Sequence, residues 1–140
     1  MKAFVDSDVL LDFFLNREPF ADHSAAVLDQ CEKGRMTGIT SPLVLSNVYY
    51  ILRQKTSNEK VMKCIHFIIG QLEIVTMNRE SILAALDSGL TDFEDSLQYG
   101  AVSLDGSIDC IVTRNVRDYR KSTLPVHTPA GFLALLQQNA

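Results

Sequence analysis

Three carboxylates fall within seven residues of the first apolar segment, Phe4-Val5-Asp6-Ser7-Asp8-Val9-Leu10-Leu11-Asp12. Asp is poor in strands and helices and costly in a core without a partner, so packing alone does not ask for acids here. Further acids stand at Asp92, Asp95 and Asp118. Taken singly, an acid at a helix N-terminus is a cap worth about 1 kcal/mol, and that reading holds open for Asp8, Asp92 and Asp95. Taken together, carboxylates that converge repel one another, which costs stability unless a cation sits among them. Oxygen-rich sites select Mg²⁺ or Mn²⁺, and such ions activate a water and clamp a phosphodiester.

The elements that must position these acids follow from the apolar pattern. Ala3-Phe4-Val5 reads as a short buried strand with Asp6 at its C-terminal end, and Ser7 or Asp8 can cap a helix starting near Val9. Asp12 is expected on the solvent side of that helix. A second helix is expected over His23–Lys33, ended by Gly34. Met36–Thr40 reads as a strand, and Ser41-Pro42 as the cap and first residue of a helix running to Gln54. Ser57 caps a helix to about Ile69, Leu72–Thr76 is a strand, and Asn78 caps a helix through Leu86. Thr91 or Asp92 caps the helix carrying Leu97, Ala101 and Leu104. Ile108–Thr113 has almost no polar face, which places it centrally in a parallel sheet. Asn115–Arg120 is a turn or short helix, Pro125–His127 a last strand, and Thr128-Pro129 opens a C-terminal helix. Strands alternating with helices predict an α/β fold, a three-layer α/β/α domain over residues 1–140 with a central, mostly parallel sheet of four to five strands. Function in such sheets sits beyond the C-terminal strand ends, here at Asp6, Thr40–Asn47 and Thr113–Asp118.

The totals narrow the classes. A chain of 140 residues with 46% hydrophobic and 21% charged content fits one folded domain. A net charge of −4 argues against coating nucleic acid by bulk electrostatics, but not against an enzyme that reaches it through a metal. No apolar run is long enough to span a bilayer, and Met1-Lys2 leads too soon to Asp6 for a secretory leader, so a cytoplasmic protein with no membrane partner is expected. Cys31, Cys64 and Cys110 form no CxxC pair and read as reduced, and His23, His66 and His127 lack zinc-ligand spacing and read as structural.

In that order, four segments resemble the motifs of the PIN domain family. Phe4–Asp12 is similar to its opening motif, Ser41–Tyr50 to its second, Asp92–Tyr99 to its third and Cys110–Tyr119 to its fourth. The resemblance spans nearly the whole chain. It implies a metal-dependent nuclease acting mostly on RNA, with Mg²⁺ or Mn²⁺ as cofactor. It also implies a toxin of the VapC type, with an antitoxin protein and a second copy of the chain as partners. It implies a metal-binding Asp6, a third-motif acid at Asp95 with Asp92 beside it, and fourth-motif positions at Asn115 and Asp118. Thr113 would orient an acid or a water, and Ser7 would do similar work. The second motif usually brings a Glu where Asn47 stands, an amide without negative charge, and Asp8 stands where Asn is usual.

Arg114, Arg117, Arg120 and Lys121 place four basic residues within eight positions, to hold RNA phosphates or to offset the acids. Tyr49, Tyr50 and Tyr119 read as core or rim, with base stacking as the other reading, and Arg53, Lys55, Lys60 and Lys63 as solvated helix faces. Three functions follow. A metal-dependent endoribonuclease uses Asp6, Asp95, Asp118 and Thr113. A binding module of the same fold that has lost catalysis is favoured by Asn47 and Asn115. A phosphatase would use Asp6 and Asp8 as an Asp-x-Asp pair, but the later chain lacks a matching lysine loop.

Overall fold

The structure is a computed structural model and describes residues 1–139. Five strands pair in parallel: β1 (Lys2–Val5), β2 (Thr37–Thr40), β3 (Glu73–Ile74), β4 (Cys110–Val112) and β5 (Val126–His127), in the order β3-β2-β1-β4-β5. Seven α-helices connect and cover them: α1 (Ser7–Phe14), α2 (Ala21–Glu32), α3 (Pro42–Arg53), α4 (Asn58–Gln71), α5 (Arg79–Leu86), α6 (Phe93–Leu104) and α7 (Pro129–Gln138). A single 3-10 turn, Val116–Tyr119, follows β4. The chain leaves β1 toward β2 and β3, then crosses back to β4 on the other side. Right-handed crossovers put α1–α4 on one face of the sheet and α5–α6 on the other. None of the described helices is long and apolar enough to cross a membrane.

Caps written in the sequence set most helix starts. Ser41, Ser57, Asn78 and Thr128 each accept a bond from a first-turn backbone N–H, and Pro42 and Pro129 stand just inside their caps. Two starts differ from expectation. Helix α1 begins at Ser7 and is capped by Asp6, whose carboxylate accepts from Ser7 N, so the strand-end acid is also the cap. Helix α2 begins two residues before His23, at Ala21, with no side-chain cap at all. Strands β3 and β4 are shorter than the apolar runs that announced them: Leu72 and Ile108 are buried outside the strands, and Val75 just past β3 still donates its N–H to Thr40 O at 2.8 Å.

The core is the sheet's inner residues Phe4, Val5, Ile39, Ile111 and Val112 with Val9, Leu10, Val27, Val44, Val48 and Phe132 from the helices, all nearly or wholly buried. Helices α5 and α6 touch at backbone distance: a methyl at Gly100 would overlap the Ser81 carbonyl and the Ala85 backbone. Strand β1 is flanked by β2 and β4, and the connections that follow the neighbours β1 and β4 run to opposite sides of the sheet, to β2 and to β5. That makes the C-terminal end of β1 and β4 the crevice where such sheets bind ligands.

Candidate active site

Asp6 sits at that crevice, one residue past β1, 6% exposed. Its backbone N–H still pairs with Val112 O across to β4. One carboxylate oxygen, Oδ1, accepts from Ser7 N at 2.8 Å and from Gln98 Nε2 at 3.4 Å. The other, Oδ2, accepts from Thr113 Oγ1 at 3.0 Å and from the Tyr119 hydroxyl at 3.4 Å. Burial raises its pKa above the ordinary carboxylate value, and these four donors hold part of the rise back.

Asp8 is the second acid of the crevice. Its Oδ2 lies 3.2 Å from Thr113 Oγ1 and accepts from Arg114 N at 3.0 Å, while its buried Oδ1 has no partner. Burial, and then the charge of Asp6, push its pKa up to about 6. Thr113 itself is fully buried and accepts from Asn115 N at 3.1 Å. Its hydroxyl carries one proton, so it donates to Asp6 or to Asp8 at any moment. The second contact is favourable when the other acid is protonated and donates back.

The third-motif acids come from the first turn of α6. Asp92 is the cap, accepting from Asp95 N at 2.9 Å, so its bland reading is observed. Asp95 points elsewhere: desolvation first, then the charges of Asp92, Asp6, Asp118 and Glu94, push its pKa up to about 7. Asp6, Asp95 and Asp118, from three separate parts of the chain, therefore share one field. They do not close on one another: no three His, Cys, Asp or Glu side chains among the described residues stand close enough to hold an ion as they are. Asp118 is exposed in the 3-10 turn and Asn115 is exposed just before it. Asn47 reaches in from α3, where its amide donates to Ser7 Oγ at 3.0 Å. The donor set is all carboxylate and amide oxygen, which suits Mg²⁺ or Mn²⁺ rather than a softer metal.

One expectation is corrected, and one of two readings is chosen for Arg114. Asp12 is not on the solvent side; it is fully buried. Its partner is Arg114, whose Nε and Nη2 donate to the two carboxylate oxygens at 2.6 and 3.0 Å, with Arg17 a further 3.7 Å contact. Arg114 is accordingly not one of a row of equivalent surface cations: its guanidinium is committed to Asp12 and stacks over the Phe20 ring at 4.0 Å. The pairing raises the Arg114 pKa further. Arg117, Arg120 and Lys121 do stay at the surface. With Gly89, Leu90 and Asp118 they line a small cavity of about 100 Å³, where Lys121 Nζ donates to Gly89 O at 2.8 Å.

Gln98 and Tyr119, which the motif spacing does not single out, also hold Asp6. Gln98 is buried, accepts from Ser41 Oγ at 2.7 Å, and turns its amide N–H to Asp6. A signal existed for it, since Gln98 is three residues after Asp95 and so on the same helix face. Tyr119 is core rather than rim: 1% exposed, with its hydroxyl aimed at Asp6 and its pKa raised by burial and by the acids around it. Asp12 also had a signal, standing four residues after Asp8 on the buried side of α1.

A family model described as PIN domain matches residues 2–117. Ribonuclease VapC1 of Aquifex aeolicus (strain VF5) is 27% identical over 136 residues, covering 94% of this chain and 92% of the relative. Two solved structures share the fold. VapBC2 from Rickettsia felis, bound to a DNA fragment from their promoter, matches with TM-score 0.69 at 16% identity, over 91% of this chain and 98% of that one. VapBC-1 from nontypeable Haemophilus influenzae matches with TM-score 0.69 at 12% identity, over 93% of this chain and 99% of that one. With a family model covering the first three motif segments whole and most of the fourth, the chain belongs to the PIN domain family.

Proposed function

We propose that this chain is a metal-dependent endoribonuclease that serves as the toxin of a toxin–antitoxin pair. The observation that carries the reading is Asp6: a buried carboxylate at the C-terminal end of the central strand, held by Thr113, Tyr119 and Gln98, in one electrostatic field with Asp95 and Asp118. Burying acids that raise each other's pKa costs stability, and a divalent cation removes that cost. The donor chemistry fits Mg²⁺ or Mn²⁺, with Asp6, Asp95 and Asp118 as the holding groups and Asp92, Asn47 and Asn115 beside them. When bound, such an ion supplies Lewis-acid stabilisation of the charge that builds on a phosphodiester. The chain's own residues do the rest. Thr113 and Tyr119 fix the rotamer of Asp6. Ser7, held by Asn47, presents a hydroxyl at the mouth of the crevice. Arg117, Arg120 and Lys121 hold the phosphates that lead away from the cut.

RNA as substrate and a protein antitoxin as partner are supported by the ribonuclease relative and by the complexes that share the fold. A partner is also supported by Met62, Phe67 and Ile69, exposed along α4, with Phe67 stacked at 5.8 Å on Phe13 of α1. The reading of a binding module with weak catalysis keeps one specific support, the neutral Asn47 in a site that does not close by itself. The test is cleavage of a defined RNA with Mn²⁺ by the wild-type chain and by an Asp6→Asn, Asp95→Asn variant. Wild-type cleavage abolished in the variant is the expected result. Equal, negligible cleavage by both leaves the binding module.

A further inference from the structure

A cavity of about 430 Å³ opens between the N-termini of α2 and α7. Pro19, Phe20, His23, Arg114, Pro129 and Ala130 line it, and its walls are mostly apolar. It adjoins the acids through one residue: the backbone N–H of Arg114 holds Asp8, while its side chain forms part of the cavity wall. That size is within the range of small-molecule sites, roughly 300–1,000 Å³.

Arg114 is held in a set orientation. Guanidinium carries five N–H donors, and Asp12 takes one from Nε and one from Nη2. Three remain, two on Nη1 and one on Nη2. Asp12 is fully buried and Phe20 covers one face of the guanidinium, so the fork has little freedom to lose on binding. The cavity thus offers apolar walls and, among its lining residues, an arginine whose end-on pair of parallel donors, one from each terminal nitrogen, has no acceptor among the described residues. The occupant must be flat and apolar in body, with two adjacent acceptors on one edge. A carboxylate would match the fork, but it would meet the charges of Asp12 and Asp8 and leave the apolar walls wet. A nucleobase is neutral. Guanine is the base that shows two adjacent acceptors, O6 and N7, to such a fork.

We propose that this cavity receives a guanine of the RNA beside the phosphodiester being cut, with Arg114 as the reading residue and Phe20 as its support. The proposal rests on the ribonuclease reading for the strand that delivers the base. A guanine at that position then raises cleavage, and bases without the acceptor pair do not.

The test uses ¹⁵N-labelled full chain in EDTA, titrated separately with 5′-GMP, 5′-AMP, 5′-CMP and 5′-UMP. Saturable shifts at the amides of Phe20, His23 and Ala130 are expected with GMP, about tenfold weaker with the others. Ala130→Trp fills the cavity from an exposed position and is expected to abolish the shifts while the remaining spectrum stays folded. No shifts, equal shifts for all four nucleotides, or shifts that follow protein concentration alone each overturn the proposal, the last by assigning the surface to a second copy. Cleavage of paired oligonucleotides that differ by one G→A change is run alongside with Mn²⁺. GMP seated in the cavity with no RNA cut fails the ribonuclease reading alone. RNA cut without guanine dependence, and no GMP shifts, fails the cavity alone.

Discussion

Asp8 and Asp95 keep their protons further up the pH scale than carboxylates in water do, to about 6 and about 7. Both are raised chiefly by loss of hydration, and both feel the charge of Asp6. The sign of the consequence is fixed by linkage. The folded chain binds these protons more tightly than the unfolded chain, so their contribution to stability is complete below the ordinary carboxylate range and is lost as pH rises through the folded values. In EDTA, the thermal midpoint of the wild type is therefore expected to fall relative to that of Asp95→Asn between about pH 4 and about pH 7. Circular dichroism melts at stepped pH check it, and parallel curves for the two proteins contradict it. Added Mn²⁺ is expected to reverse the fall, since a cation favours the ionised acids that a proton otherwise neutralises.

The fold's local punctuation was plain at the level of single elements. Ser41-Pro42, Ser57, Asn78 and Thr128-Pro129 each opened a helix where a cap and its first turn predict one. What stayed hidden depends on partners far along the chain. Asp12 looks like a polar position of α1 until Arg114, 102 residues later, is brought over it. Asp6 looks like the end of a strand until its carboxylate is seen capping the next helix. Gln98 and Tyr119 reach Asp6 from 92 and 113 residues away, and no local pattern reports that. The Asp12–Arg114 pair ties α1 to the segment after β4, which carries Thr113, Asn115 and Asp118. Asp12→Asn strands a guanidinium with 27% of its side chain exposed, and is expected to cost about 3 kcal/mol in urea unfolding. The Asp12→Leu, Arg114→Met double variant is expected to regain most of that loss, because an apolar pair of similar volume needs no desolvation of charge. A double variant as unstable as the single one would show that packing, not the unpaired charge, sets the cost.

At the scale of the whole molecule, the net charge is −4, and the basic stretch nearest the acids is the one that follows β4. With Arg114 committed to Asp12, Arg117, Arg120 and Lys121 remain. Three phosphate contacts predict a plot of log K against log salt with a slope of about −2 for single-stranded RNA. Fluorescence anisotropy in EDTA measures it, and replacing the three residues with Ala is expected to bring the slope near zero. A steeper slope would mean that other cations take part. The sheet adds a consequence of a different kind. Its outer strands, β3 and β5, are two residues long, and Glu73 of β3 turns inward across β2 to pair with Lys2 of β1 at 3.0 Å. A foreign strand finds hardly any ladder to extend. Strand addition to the native sheet thus has little template at either edge.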